Sequence, residues 1–70
     1  MNPRKLAEQA LKENGFRIHR NSGGNHDLYI DPITKEVIPL SRSSHFNEED
    51  LKMIKREIRK IVSLRKEGAQ

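Results

Sequence analysis

The stretch from residue 16 to residue 40, FRIHRNSGGNHDLYIDPITKEVIPL, decides the fold of this chain. Apolar and polar residues alternate in three short runs within it, which is the period of a half-buried strand. The runs are residues 16–20, 27–31 and 36–40. A Gly-rich loop at 21–25 separates the first two, and a turn opened by Asp31-Pro32 separates the second and third. Three consecutive strands with short connections predict an antiparallel meander. Pro39 cannot donate to a ladder, so we place it on a free edge or at a strand end.

A helix is predicted before the strands. Asn2 can cap it and Pro3 suits its first position, while Asn14-Gly15 is a typical helix stop. The helix should therefore run from about Pro3 to Asn14. One apolar stripe recurs at helical spacing along it, formed by Leu6, Ala7, Ala10 and Leu11.

A second helix is predicted after the strands. Asn47 caps it, and the three acidic residues that follow lie at the positive end of the helix dipole. Phe46 could pack on this helix as a hydrophobic staple. We expect residues 65–70 to fray. The buried stripe of this helix is formed by Leu51, Ile54, Ile58, Ile61 and Val62.

These elements predict a single α+β domain over residues 1–70. The order is α-β-β-β-α, with a three-stranded antiparallel sheet and both helices on one face, as in double-stranded RNA-binding domains. A fold alone does not set a function. The residues expected to face the helices are Ile18, Leu28, Ile30, Ile38 and Leu40. Those expected to face outward are Arg17, His19 and Tyr29.

The composition restricts the class of protein. The 70 residues include no cysteine, which excludes disulfides and thiolate metal sites. The sequence has no apolar segment of the ~20 residues that a membrane helix needs, and its N-terminus is polar, so a cytoplasmic location is the default expectation. Fourteen Lys and Arg against ten Asp and Glu give a net charge of +4. This balance favours a nucleic acid or an acidic protein as partner.

His26 follows the glycine-rich turn Gly23-Gly24-Asn25 and is the first candidate for chemistry. A histidine can give or take a proton near neutral pH. In RNA the 2′-hydroxyl is an internal nucleophile, so a histidine without a metal can suffice for phosphodiester cleavage. The alternative is a loop histidine that hydrogen-bonds locally. The glycines could likewise present N–H groups to a phosphate, or form only a hairpin turn.

The other two histidines are weaker candidates. His19 lies between Arg17 and Arg20 and could touch phosphate, or it could be a solvated strand residue. His45 precedes the cap of the second helix, and we expect it to be a loop or capping residue. The spacing of the three histidines does not favour a zinc site.

The sequence resembles the HicA family of bacterial toxins, also called YcfA-like proteins, over roughly residues 3–61. The resemblance rests on the helix end from Leu11 to Gly15-Phe16, on Gly24-Asn25-His26 with Leu28-Tyr29, and on Asp31-Pro32. It continues through Val37-Ile38-Pro39 and the capped helix with Leu51, Ile54 and Ile58. Family members typically carry Gly-Ser-His at this turn. Here Asn25 replaces the serine, and Asp27 adds a negative charge beside the presumed phosphate site.

The resemblance implies a double-stranded-RNA-binding-like fold and a messenger-RNA interferase that cleaves with one histidine, His26. It implies no metal, no cofactor and no small-molecule substrate, and a HicB-like antitoxin as protein partner. The alternative is a non-catalytic RNA-binding module of the same fold. The residues expected to contact RNA are Arg17, His19, Arg20, Gly24, Asn25, Tyr29, Lys52, Lys55, Arg56 and Arg59.

Overall fold

The computed structural model describes residues 2–19 and 26–68. In these ranges the chain forms, in order, α1 (Pro3–Glu13), β1 (Arg17–Ile18), β2 (His26–Ile30), β3 (Val37–Ser41) and α2 (Glu48–Gly68). The predicted α+β class and the order α-β-β-β-α are confirmed. The predicted glycine-rich loop, with Arg20, Gly24 and Asn25, lies outside the described residues.

Both ends of α1 follow from local chemistry. The Asn2 side chain accepts a hydrogen bond from the Arg4 N–H at 2.9 Å, which satisfies one of the unpaired donors of the first turn. At the other end, Gly15 has a φ of +85°, a conformation that other residues adopt only with strain. The chain then reverses, and the Phe16 N–H donates to the Leu11 carbonyl at 2.9 Å. The predicted helix ends are therefore correct to within one residue.

The start of α2 is closed by a reciprocal pair of hydrogen bonds. The Asp50 N–H donates to the Asn47 side chain at 3.1 Å, and the Asn47 N–H donates to the Asp50 carboxylate at 3.0 Å. The predicted Asn47 cap is confirmed, and Phe46 packs against the core as expected of a staple. The helix continues to Gly68, so the expected fraying from residue 65 is wrong at Arg65, which is helical and half-buried.

The described strands form an antiparallel sheet in the order β1-β2-β3. The His19 N–H donates to the Leu28 carbonyl at 2.6 Å, so the backbone polar groups of Leu28 point towards β1. Pro39 lies opposite Leu28 in β3. Its nitrogen therefore points away from β2, where no ladder bond is lost. The expectation that Pro39 belongs on an edge is confirmed.

The helices pack on one face of the sheet. Arg4 of α1 and Arg65 of α2 bond to Asp27 and Asp31, which alternation places on the same face. Each large apolar side chain buried here contributes about 1.5–3 kcal/mol to folding. The core consists of Ala7, Leu11, Phe16, Tyr29, Ile38, Leu40, Leu51, Ile54, Ile58 and Ile61.

The predicted facing of the strand residues is correct for Ile38 and Leu40 but wrong in β2. Tyr29 pairs with Ile38 and is buried among the core residues, with 3% of its surface exposed. Leu28 and Ile30 are only half-buried and lie on the outer face. Ile18 shares the face of Tyr29 but stays 59% exposed at the sheet edge. The polar Asp27 and Asp31 share the inner face because arginines neutralise them. Within residues 2–19 and 26–68, no helix has the length and hydropathy needed to span a membrane.

Candidate functional site

His26 is the first residue of β2, exposed, and directly opposite Ser41 of β3. It lines an open cleft of about 350 Å³ between the end of β3 and the N-terminal turn of α2. The polar residues that line this cleft, which we call the histidine cleft, are His26, Ser41, Ser43, His45 and Asp50. Its apolar lining residues are Pro39, Phe46, Met53 and Ile54. An exposed histidine thus has a concave, partly polar surface beside it.

Serine side chains fix the loop that carries His45. The Ser43 N–H donates to the Ser41 hydroxyl at 3.1 Å, and the His45 N–H donates to the Ser43 hydroxyl at 3.0 Å. Phe46 then packs into the core. His45 is in a loop, as predicted, but the structure brings it into the cleft of His26. The pairing of β2 with β3 could have predicted that His45 lies near His26. Ser41 is opposite His26, so the loop that follows Ser41 begins beside the start of β2.

Asp27 does not leave an uncompensated negative charge beside His26, contrary to the sequence expectation. Its carboxylate accepts from Arg4 Nη2 at 2.6 Å and from Arg42 Nε at 2.8 Å. The hydrogen bond from Arg42, followed by that from Arg4, lowers the pKa of Asp27 although burial raises it. Arg42 is 47% exposed and lines a shallow pocket with His26 and Ser41. The surface next to His26 therefore includes a solvent-accessible cation.

Arg4 ties three elements together at this end of the sheet. From α1 it reaches the Ser41 carbonyl of β3 through Nε at 2.9 Å, in addition to Asp27 of β2. It also pairs with Glu8 of its own helix at 2.9 Å. Burial, together with the charges of Glu8 and Asp27, raises the pKa of the nearby Tyr29. The charged network around Arg4 thus supports the pairing of His26 with Ser41.

The structure does not gather the predicted RNA contacts of the strands around His26. Arg17 is exposed but pairs with Ile30, four residues along β2, which is a separation of about 13 Å. His19 is half-buried beyond the end of β1. Tyr29 was expected on the outer face but is buried on the inner one, so it does not add to the exposed surface around His26.

The predicted basic residues of α2 also lie apart from the histidine cleft. Lys52, Lys55, Arg56 and Arg59 are all exposed. Lys55 and Arg59 line a groove against α1, whereas Met53 is on the side of α2 that faces the cleft. The four cations therefore form a surface of their own, which we call the basic face of α2.

A buried ion pair at the opposite end of β2 was missed by the sequence reasoning. Arg65 of α2 donates to both carboxylate oxygens of Asp31, at 3.1 Å from Nε and 3.0 Å from Nη2. Its Nη2 also donates to the Asn14 carbonyl at 2.6 Å, and its guanidinium lies 5.5 Å from the centre of the Phe16 ring. We call this set the Asp31 lock. It joins the ends of both helices to the β2–β3 turn. No local sequence pattern predicts it, because Asp31 and Arg65 are 34 residues apart in the chain.

Asp31 itself is fully buried. It also accepts hydrogen bonds from the Thr34 hydroxyl at 2.8 Å and from the Ile33 and Thr34 N–H groups. Burial raises its pKa, but the bonds from Arg65, Thr34 and the backbone lower it from 3.8 to about 2. Such saturation of a carboxylate indicates a structural role.

In the part of the chain that the structure describes, no group of three or more His, Asp or Glu side chains is placed to hold a metal ion. Comparison with known proteins finds no matching family model, no matching curated protein and no matching solved structure. What the protein does must therefore be inferred from the side chains of its own surface.

Proposed function

We propose that the protein is an endoribonuclease that uses His26 as a proton-transfer residue and needs no metal. The observation that carries this proposal is the position of His26. It is exposed at the start of β2 and lines both the histidine cleft and a pocket with Arg42, whose half-exposed guanidinium is paired with Asp27. A nucleic-acid phosphate needs both a cation to attract it and a group that moves a proton within reach.

The reaction proposed is attack of a ribose 2′-oxygen on the adjacent phosphorus. The bond from phosphorus to the 2′-oxygen forms, and the bond from phosphorus to the 5′-oxygen breaks. The 2′-hydroxyl loses a proton and the departing 5′-oxygen gains one. The products are a 2′,3′-cyclic phosphate and a 5′-hydroxyl end. Histidine suits this chemistry because it exchanges protons near neutral pH.

We propose further that the protein is the toxin of a bacterial toxin–antitoxin pair, with messenger RNA as substrate and a HicB-like protein as inhibitor. Support comes from the HicA-like features of the sequence and from the order of elements. The net charge of +4 also suits an acidic inhibitor, since opposite charge speeds association. A partner that covers the histidine cleft would block the reaction.

The basic face of α2 favours a second candidate, an RNA-binding module without catalysis. Its cations are exposed and lie away from His26, so they can hold RNA without placing it in the cleft. In that case RNA would bind in a salt-sensitive way, because neutralised phosphates release counterions, and would stay intact.

Cleavage of an end-labelled messenger transcript by the purified protein and by His26→Ala tests the proposal. We expect the variant to be slower by about 10²–10⁴-fold, the usual cost of removing a general acid or base. His19→Ala is the matched control, since it removes a histidine outside the cleft. Thermal unfolding should show His26→Ala folded, because His26 is exposed, and the same measurement checks that His19→Ala is folded.

Wild-type cleavage should persist in EDTA and leave a cyclic phosphate. Full activity in a folded His26→Ala protein would refute the assignment, as would a 3′-hydroxyl product. Tight, salt-sensitive binding without any cleavage would favour the RNA-binding module.

A further inference from the structure

The histidine cleft contains a second histidine, His45, whose side chain is exposed. His45 uses its backbone N–H to bond Ser43. The cap of α2 is formed by Asn47 with Asp50, and the apolar anchor is Phe46. Among the described residues, none hydrogen-bonds the His45 imidazole. Its neighbours thus perform the structural tasks that the sequence suggested for His45.

We infer that His45 is a second catalytic residue, and that His26 and His45 act as a pair on one phosphodiester. This inference rests on the proposed endoribonuclease function. Both histidines line the same cleft of about 350 Å³, His26 from the start of β2 and His45 from the loop before α2. The other polar residues that line it, among those the structure describes, are two serines and Asp50, and Asp50 is engaged with Asn47.

The chemistry requires two proton transfers at opposite ends of the reacting phosphate. One imidazole accepts the proton of the 2′-hydroxyl as the bond from that oxygen to phosphorus forms. The other imidazole, initially protonated, donates to the 5′-oxygen as its bond to phosphorus breaks. The pair thus begins and ends with one proton, exchanged between its members, and no metal or external acid is consumed.

The placement of both residues suits a pair that must be held in position. His26 is fixed by strand pairing to Ser41, and the His45 backbone is fixed through Ser43, whose own N–H is bonded to Ser41. Both positions are therefore fixed relative to the same residue of β3, Ser41. The charged groups that line pockets with the pair are Asp50 in the histidine cleft and Arg42 in the pocket beside His26, where Arg42 is paired with Asp27.

The test compares wild type, His26→Ala and His45→Ala on two RNA oligonucleotides. One has a normal linkage, and the other has sulfur in place of the bridging 5′-oxygen. A thiolate departs without protonation, so this substrate no longer needs the acid. On normal RNA we expect both variants to lose about 10²–10⁴-fold in rate. On the sulfur substrate one variant should regain the wild-type rate and the other should stay slow.

The pH–rate profile provides a second readout that a structural role would not change. Wild type should give a bell-shaped profile, because one histidine must be neutral and the other protonated. On the sulfur substrate the limb assigned to the acid should disappear. His45→Gln, which keeps a polar side chain of similar length, should be as slow as His45→Ala, and thermal unfolding should confirm that both are folded.

Two results would overturn the pair. In the first, folded His45→Ala cleaves normal RNA at the wild-type rate while His26→Ala does not, which leaves a single-histidine enzyme. In the second, His45→Ala is slow but neither variant is rescued on the sulfur substrate, which gives His45 a structural role only. Both leave the endoribonuclease standing. Failure of the proposed function is distinct, since His26→Ala would then be fully active on normal RNA or wild type would be inactive on both substrates.

Discussion

Each end of β2 carries an aspartate paired with arginine, but one aspartate is buried and the other is partly exposed. Asp27 and Asp31 lie four residues apart on the inner face of the strand, and each is bonded to arginine. Asp31 is fully buried, and its lock joins α1, α2 and the β2–β3 turn. Asp27 keeps 13% of its side chain exposed, and its partner Arg42 is 47% exposed beside His26. One end of the strand is closed and the other is open to solvent.

Burial, rather than the presence of an ion pair, separates the structural end of β2 from the candidate functional end. A buried charge is tolerated only when its partners satisfy it completely, as those of Asp31 do. The guanidinium of Arg42, by contrast, stays half exposed to solvent while it is paired with Asp27. The contrast can be tested by making the same substitution at each end.

The largest effect is expected for Arg65→Met. The variant leaves the Asp31 carboxylate buried without its cation, and we expect a loss of about 3 kcal/mol in the free energy of unfolding. Arg42→Met is the matched control and should cost less than about 1 kcal/mol, because Arg42 is half exposed. Urea denaturation of both variants measures the difference. Equal losses would show that the two ends do not differ in the way proposed.

Acid should weaken the closed end of β2 next. The pKa of Asp31 is lowered from 3.8 to about 2 in the folded protein. The unfolded chain therefore takes up the proton first as the pH falls. The stabilisation is complete above about pH 4 and disappears as the pH approaches 2, a loss of about 2 kcal/mol.

The control for this acid effect is Asp31→Asn. Its free energy of unfolding, measured between pH 5 and pH 2, should fall less steeply than that of wild type. A residual slope remains, because the pKa of Asp27 is also lowered. Parallel curves for the two proteins would contradict the assignment of the acid sensitivity to Asp31.

Gly15→Ala should give a smaller loss at the same closed end. Gly15 has a φ of +85°, so any side chain there is strained. A Cβ at this position would lie 3.6 Å from Arg65 Nη2, which is ordinary contact, so the cost is conformational. We expect about 1 kcal/mol. Thermal unfolding measures this loss. Ala10→Gly, the opposite change inside α1, is measured beside it. An unchanged stability of Gly15→Ala would show that the left-handed end of α1 is dispensable.

The smallest effect on stability is expected for Asp27→Asn. The amide keeps the shape of the side chain, and its one oxygen can still accept a hydrogen bond from Arg4 or Arg42, so the loss at this partly exposed pair should stay below about 1 kcal/mol. Asp31→Asn, the same change at the closed end, should cost clearly more. If denaturation ranks the two variants in the reverse order, burial does not distinguish the ends of β2.

Local patterns in the sequence predicted most of the fold. The caps at Asn2 and Asn47 and the stop at Gly15 act within a few residues, and the structure shows each of them. The alternation of β2 likewise showed which residues share a face. It did not show which face is inner, because the set with Leu28 and Ile30 looked more apolar than the set with Tyr29. Asp27 and Asp31 can lie on the inner face because Arg4 and Arg65 pair with them there, and these arginines belong to helices distant in the sequence.

The sequence predicted the candidate site about as completely as it predicted the fold. His26 could be singled out because it follows a glycine-rich turn, and the structure places it at an exposed cleft. Its neighbours Arg42 and His45 were not assigned to it, since they meet His26 only through the pairing of β2 with β3. Charge alone pointed instead to the basic face of α2, which lies elsewhere on the surface.

Pro39 has a consequence for how copies of the protein meet one another. In the described sheet β3 is an edge strand, and such an edge offers a row of backbone groups to any strand that approaches. The middle residue of this row carries no hydrogen on its nitrogen, which points away from β2. A strand from another molecule would leave one carbonyl without a donor there, beside the exposed Val37. Pro39 thus disfavours the growth of continuous sheets from one molecule to the next along this edge.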